Sequence, residues 1–90
     1  MTGEKILEII KVYQILFDDL QIEPLELPHR TTLQEPEDAL SHCCAMLPKI
    51  AALIEEQRIE KAFRWLGFVQ GVLWATGQYN LNSLKGHSKP

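Results

Sequence analysis

The chain has 90 residues, which is enough for one domain with a small core. A domain of this length buries only about 60–65% of the surface of its unfolded chain, so a partner subunit would add to its stability. Its hydrophobic content of 46% is ordinary for a globular protein and does not indicate disorder. A pI of ≈ 5.5 gives no basic footprint for duplex nucleic acid, which we exclude as a partner.

The charges are distributed unevenly along the chain. Residues 1–57 contain eleven acidic and four basic residues, whereas residues 58–90 contain one acidic and five basic residues. A basic C-terminal third on an acidic body suits an anionic ligand or the acidic surface of another subunit. A solvated helix face is the alternative.

The cysteines and the N-terminus indicate where the protein resides. The two cysteines, Cys43 and Cys44, are adjacent and cannot form a stabilising intrachain disulfide bond with each other. The sequence therefore favours a protein of the reducing cytosol. The N-terminus has no signal-peptide pattern, and the long uncharged run of residues 65–83 contains Gln, Asn and three Gly. Such a run is a poor membrane span, so we expect a cytoplasmic protein that does not contact a membrane.

The first predicted helix covers residues 4–20. Apolar residues recur there at three- and four-residue steps, which is typical of one buried helix face. This stripe consists of Ile6, Ile9, Ile10, Tyr13, Leu16, Phe17 and Leu20. Thr2 is the predicted N-cap. Because Tyr13 lies on the stripe, its hydroxyl must either reach solvent or find a polar partner.

The second predicted helix covers residues 36–57 and follows a loop. Two prolines forbid a continuous helix over residues 21–34. Pro36 is suited to the first turn of the next helix, where its missing N–H costs nothing. Pro48 lies inside that helix and predicts a kink, with a break at residues 46–48 as the alternative.

The third predicted helix covers residues 58–76 and runs antiparallel to the second. No glycine or proline marks the turn before it, which is inferred from helix length alone. Gly77 is a good C-terminal stop, Asn80 caps a short helix over residues 81–85, and residues 86–90 form a tail. The predicted fold is therefore all-α, with an N-terminal helix, a helical hairpin whose second helix is kinked, and a short C-terminal helical turn.

The third helix is apolar on nearly all sides, and such a helix is buried on nearly all sides. One stripe suits packing against the second helix and consists of Ile59, Ala62, Phe63, Leu66, Val69 or Gln70, Leu73 and Trp74. A second stripe on another side consists of Trp65, Phe68, Val72 and Ala75. A domain of this size has few elements to cover both stripes.

We therefore predict a homo-oligomer. Its predicted interface consists of Gly67, Phe68, Gly71, Val72 and Ala75. The two glycines and Ala75 form a ridge of small residues that permits close helix packing. Each mid-helix glycine costs roughly 1 kcal/mol relative to alanine, and close packing would offset that cost. Packing of the ridge against the first helix of the same chain is the alternative.

The best candidate for ligand binding is the start of the third helix. Arg58, Lys61 and either Arg64 or Trp65 recur at three- and four-residue steps on one side of it. Basic side chains at a helix N-terminus suit a phosphate, and Trp65 offers a flat surface for a base. The alternative is that these bases pair with acidic neighbours such as Glu56 and Glu60.

The sequence supports neither a metal site nor catalysis. His42, Cys43 and Cys44 are consecutive, and neighbouring helix residues point about 100° apart, so they cannot share one ion. No cysteine or serine stands in a pattern that would activate it, and no phosphate loop is present. We predict a protein that is not an enzyme and that needs no cofactor or metal.

Part of the hairpin resembles a known family. Residues 50–58 (Ile-Ala-Ala-Leu-Ile-Glu-Glu-Gln-Arg), Ala62-Phe63 and residues 68–73 (Phe-Val-Gln-Gly-Val-Leu) resemble the helical hairpin of small phage proteins that sequester cyclic-oligonucleotide immune signals. These are the anti-CBASS sponge proteins and their anti-Thoeris relatives. The resemblance spans residues 50–73 and implies an all-helical cytosolic oligomer, often a hexamer. It also implies binding of cyclic di- or trinucleotides between subunits without cleavage.

The resemblance also implies ligand contacts from the first helix, where Lys11 and Tyr13 correspond to a Lys and a Tyr of the family. The complete predicted site is Lys11, Tyr13, Arg58, Lys61, Arg64 and Trp65. This chain has Trp65-Leu66-Gly67 where the family has polar and basic residues. The predicted function is a phage-type sponge acting in the host-cell cytosol. The alternative is a small helical protein–protein interaction or assembly regulator that uses the apolar face of helix 58–76.

Overall fold

The computed structural model describes residues 1–30 and 32–89, and within them the chain forms four helices and no strand. The helices are α1 (Gly3–Asp19), α2 (Pro36–Glu55), α3 (Ile59–Ala75) and α4 (Leu81–His87). The all-α prediction is confirmed, and every helix end lies within two residues of its predicted position. The predicted tail is corrected at its start, because Gly86 and His87 form the last turn of α4. The remainder of that tail includes Pro90, which lies outside the described residues.

The helix starts follow the predicted cap chemistry. Thr2 Oγ1 accepts a 3.1 Å hydrogen bond from the N–H of Lys5, and Asn80 Oδ1 accepts a 2.8 Å bond from the N–H of Ser83. Each bond satisfies a backbone donor that the helix itself leaves unpaired. Pro36 is the first residue of α2, as predicted. Local chemistry therefore sets the starts of α1, α2 and α4, whereas α3 begins at Ile59 without a side-chain cap.

The first three helices end in the same way. Gln21, Gln57 and Gly77 have positive φ angles of 58°, 61° and 78°, which reverse the chain after α1, α2 and α3. At the end of α2, the N–H of Arg58 donates to the carbonyl of Leu53 at 2.8 Å, which closes a Schellman motif. This explains the turn that no glycine or proline marks, because Gln57 adopts the left-handed conformation instead.

Helix α2 continues through Pro48 without interruption, so the alternative of a break at residues 46–48 does not occur. Pro48 is exposed, whereas Leu47 and Ile50 beside it are buried. The proline ring therefore displaces no core side chain, and the loss of one backbone hydrogen bond is tolerated.

The core lies where α1 packs across the hairpin of α2 and α3. The pairing of α2 with α3 is the most extensive, and α4 packs on α3. The side chains that are fully buried come from all three long helices and include Ile6, Tyr13, Phe17, Cys43, Leu47, Ile50, Leu66, Val69 and Leu73. The predicted α1 stripe is largely buried, except that Leu16 is partly exposed and Leu20 is 44% exposed.

The assignment of α3 residues to the inner stripe needs two corrections. Phe63 and Trp74 were expected to face α2, but they are 48% and 52% exposed. The buried face of α3 is centred on Ala62, Leu66 and Leu73, and steps of about 100° per residue turn Phe63 and Trp74 away from it. Because α3 is apolar on several sides, periodicity alone cannot choose which side faces the core.

None of the helices in residues 1–30 and 32–89 combines the length and the apolar character that crossing a membrane needs.

Candidate functional site

The segment between α1 and α2 lies over α2, and we call its residues 22–29 the strap. The N–H of Leu25 donates to the carbonyl of Ser41 at 3.0 Å, and the N–H of Leu27 donates to His42 Nδ1 at 3.3 Å. The two prolines of the strap keep it from forming a helix. These two bonds, together with a 3.8 Å hydrogen bond from the Cys44 thiol to the carbonyl of Ile22, hold an extended segment against the hairpin.

The strap, α2 and α3 together enclose a cleft of ≈ 260 Å³. Its lining combines basic and imidazole groups, two aromatic rings, one carboxylate and an apolar floor. These residues are His29, His42, Lys49, Arg64, Trp65, Phe68, Glu26, Ala45 and Met46. A concave site with a few convergent polar groups on an apolar floor is typical of small-ligand binding.

A second cavity of ≈ 360 Å³ adjoins the first and shares His29, His42 and Phe68 with it. Its other walls are mainly apolar and include Leu33 and Val72. The two cavities therefore give the cleft a charged part near Lys49 and Arg64 and an apolar part beyond Phe68.

The charges of the cleft are only partly compensated. Lys49 forms an ion pair with Glu26 of the strap, and this hydrogen bond lowers the pKa of the Glu26 carboxyl. Arg64 forms no ion pair within the part of the chain that is described. Lys61 lies beside the cleft, with its Nζ 5.4 Å from the centroid of the Trp65 ring, which is a cation–π distance. The region therefore has an excess of positive charge next to aromatic surface.

The structure brings together four of the six predicted site residues. Arg64 and Trp65 line the cleft, and Lys61 contacts Trp65. Arg58 lies with Lys61 and Arg64 along a shallow groove at the start of α3. The alternative pairing of these bases with Glu56 or Glu60 does not occur, since the ion pairs of the described residues are Lys5–Glu8 and Lys49–Glu26.

The two predicted site residues of α1 lie elsewhere. Lys11 is exposed on α1 and does not line the cleft. Tyr13 is 0% exposed, so its ring has no free face on which a base could stack. The expectation that Tyr13 needs a polar partner is confirmed. Its hydroxyl shares a 2.9 Å hydrogen bond with His87 Nδ1 and accepts a 3.1 Å bond from Gln70 Nε2.

These three side chains form a partly buried network that fastens α4 to α1 and α3. Burial raises the pKa of Tyr13 to about 12 and lowers the pKa of His87. The ring of Tyr79 packs edge-on against His87 with centroids 4.8 Å apart, and Gln70 also reaches Ser88 Oγ at 3.4 Å. Since Gln70 donates to the Tyr13 oxygen, the Tyr13 proton is available to Nδ1 of neutral His87.

The predicted interface residues lie on the outward side of α3. A methyl group added at Gly67 or Gly71 would meet no atom within 4 Å among the described residues. Phe68 is 56% exposed, Ala75 is exposed and Val72 is partly exposed. The alternative in which the ridge packs on α1 therefore does not occur, and association through this face stays a prediction.

Four polar residues of the cleft, Glu26, His29, His42 and Lys49, were not predicted as ligand-binding residues from the sequence. His29 and Lys49 were not considered for the site, and His42 was considered only as a metal ligand. The missed signal was the spacing of His42, Met46 and Lys49, whose steps of four and three residues place them on one side of α2. His29 reaches the cleft only because the strap folds over α2, which no local pattern reveals.

The thiols of α2 are not activated. Burial raises the pKa of Cys43 to about 12, and burial is also the main cause of a raised pKa at Cys44. Both therefore stay protonated at neutral pH and are poor nucleophiles. Across residues 1–30 and 32–89, no three His, Cys, Asp or Glu side chains are grouped so as to hold a metal ion.

Comparisons with known proteins identify no relative. No protein-family model matches the chain, and neither a curated protein nor a solved structure does.

Proposed function

We propose that this protein is a non-catalytic binding protein that holds a small anionic ligand with flat rings in the cleft between the strap, α2 and α3. The observation that carries the proposal is the convergence of Lys49 and Arg64 with Trp65 and Phe68 in one concave site. These residues come from two helices, and only the packing of the hairpin brings them together.

The chemistry of the lining favours a nucleotide over a simple anion. An arginine guanidinium binds phosphate oxygens in a planar, two-pronged manner, and a lysine adds a point charge. Aromatic side chains stack on bases and contribute about 1–3 kcal/mol per base. Arg64 and Trp65 are neighbours in the chain and both line the cleft, so one ligand can contact a base-stacking surface and a phosphate-binding group together.

Within this class we propose cyclic di- and trinucleotides, the ligands that the family resemblance implies. Phe68 belongs both to the cleft and to the exposed face of α3 with Gly67 and Gly71. A second subunit on that face would extend the wall of the cleft at Phe68. The ligand would then lie between subunits, and the protein would act as a sponge that removes an immune signal from the cytosol of a phage-infected cell.

Calorimetric titration against a panel of cyclic di- and trinucleotides tests this proposal. We expect binding by the wild type and at least about tenfold weaker binding by Arg64→Ala and Trp65→Ala, since each removes a charged or stacking contact. Lys85→Ala is the charge-matched control, because Lys85 is an exposed base on α4 outside the cleft. Absence of measurable heat with every panel member would overturn the proposal.

A second candidate function is the docking of another helix on the outward face of α3. The observation in its favour is that Gly67 and Gly71 are open, while Phe63, Phe68 and Trp74 beside them are about half exposed. Light scattering on the wild type and on Phe68→Asp is the test. Ile15→Asp is the control, since Ile15 is an equally exposed apolar residue on α1. A particle mass that is monomeric for all three proteins would exclude self-association.

A further inference from the structure

The cleft already contains an anion of its own. Glu26 on the strap and Lys49 on α2 both line the cleft and form an ion pair with each other. The hydrogen bond from Lys49 lowers the pKa of Glu26, so this carboxylate is ionised at neutral pH. The amine that would otherwise be available to a ligand phosphate is therefore occupied from within the chain.

The ion pair can open without moving the strap. The side chains of Lys49 and Glu26 are 53% and 65% exposed, and exposed pairs of this kind contribute little to stability. The strap backbone is held separately, through the bond from Leu25 to Ser41 and the bond from Leu27 to His42 on either side of Glu26. Only the Glu26 side chain must rotate for Lys49 to be released.

We infer, resting on the proposed function, that Glu26 is the specificity-determining residue of the cleft and that the ligand phosphate exchanges with its carboxylate at Lys49. A ligand with a full phosphate charge replaces the carboxylate, because it can also bind Arg64, which lines the same cleft from α3. A neutral or weakly charged ring compound has no group with which to displace Glu26. The exchange thus selects anionic ligands over uncharged ones that would fill the same apolar space.

This exchange predicts that substitution of Glu26, although it lines the binding site, strengthens ligand binding. Glu26→Gln keeps the shape of the side chain but frees Lys49 and removes a repulsive charge. We expect it to bind a cyclic nucleotide about three- to tenfold more tightly at low salt, as one exposed charge pair near the surface allows. The gain should shrink as salt rises, because added ions screen these exposed charges.

Calorimetric titration with cyclic tri-adenylate and cyclic di-AMP at about 50 mM salt provides the measurement, with pairs of variants as controls. Glu23→Gln removes the same charge from the strap at a residue that does not line the cleft. Glu26→Gln combined with Lys49→Met tests whether the effect acts through Lys49. We expect a gain for Glu26→Gln alone, and no gain from Glu26→Gln in the background of Lys49→Met.

The outcomes separate this inference from the function on which it rests. If the wild type and Glu26→Gln bind equally, the exchange is overturned while the cleft remains the binding site. If Glu23→Gln gains as much as Glu26→Gln, net charge alone explains the effect and the exchange is again overturned. If neither wild type nor Glu26→Gln binds either nucleotide, the proposed function fails and this inference fails with it.

Discussion

Helix α3 contributes to two polar regions that have opposite character. In the partly buried network, Gln70 donates to Tyr13, which in turn is bonded to His87, so the polar atoms find partners within the chain. In the cleft, Arg64 lies beside Trp65 and has no ion-pair partner among the described residues. Both regions combine aromatic rings with polar groups, but only the cleft includes a cation, Arg64, that the described residues leave without an ion-pair partner.

That difference separates structural polar residues from residues suited to a ligand. A buried polar group without a partner costs free energy, so a saturated network stabilises the fold and leaves nothing for a ligand to bind. A cation that is solvated in a cleft costs little in the empty protein and can exchange water for an anion. The network is therefore expected to determine stability, and the cleft to determine binding.

The largest effect is expected from Tyr13→Phe, which keeps the buried ring but removes the hydroxyl from the network. His87 and Gln70 then each lose a partner, and we expect the free energy of unfolding to fall by about 1–2 kcal/mol. Urea denaturation measures this fall. Hydrogen exchange should show the loss most strongly in α4, which the network fastens to α1.

Tyr79→Phe is the matched control for that experiment. The ring of Tyr79 packs against Tyr13 and His87, but its hydroxyl forms no hydrogen bond to the residues described. Its removal should change stability by less than about 0.5 kcal/mol. Equal losses for the two substitutions would show that the rings, and not the hydroxyl network, hold α4 in place.

A smaller effect is expected from pH, through His87. Its pKa in the folded protein is lowered by burial and by the charge of Lys5, so the unfolded chain takes up a proton first as pH falls. The stability present above the unfolded pKa of about 6.5 is then lost as pH falls from that value through the lowered folded pKa. Protonation also places a hydrogen on Nδ1, which can no longer accept from Tyr13.

Urea denaturation at pH 7 and pH 5 measures this loss, with His87→Gln as the comparison. Besides the charge of Lys5, the groups that face His87 are the rings of Tyr13 and Tyr79 and the hydroxyl of Tyr13. We expect a steeper loss for the wild type than for His87→Gln, because the substitution removes the group whose pKa is lowered in the folded protein. An identical slope for the two proteins would contradict a role for His87.

The sequence predicted the local features of this molecule better than the long-range ones. The caps at Thr2 and Asn80 were predictable, because a cap depends on residues three positions apart. The need of Tyr13 for a partner was predictable from its place on an apolar stripe, but His87 lies 74 residues away in the chain. The side of α3 that faces the core was not fixed by periodicity, which is why Phe63 and Trp74 were misplaced.

The candidate site was predicted in part for the same reason. Arg64 and Trp65 were found because they are adjacent on one helix, next to Lys61. His29 and His42 enter the cleft through the packing of the strap on α2, a contact that depends on the whole fold. Tyr13 was grouped with the ligand-binding residues through the family resemblance, although its place on the apolar stripe of α1 already indicated that it is buried.

The smallest effect on stability is expected from the cleft itself. Arg64→Ala should change the free energy of unfolding by less than about 0.5 kcal/mol, because Arg64 is exposed and forms no ion pair with the other residues described. Removing it also relieves repulsion from Lys61, which lies near it in the groove at the start of α3. Urea denaturation of Arg64→Ala and Tyr13→Phe under the same conditions compares the free energies that the cleft and the network contribute to folding. A loss for Arg64→Ala as large as that for Tyr13→Phe would mean that Arg64 holds the hairpin together, and the distinction between a network for stability and a cleft for binding would then be lost.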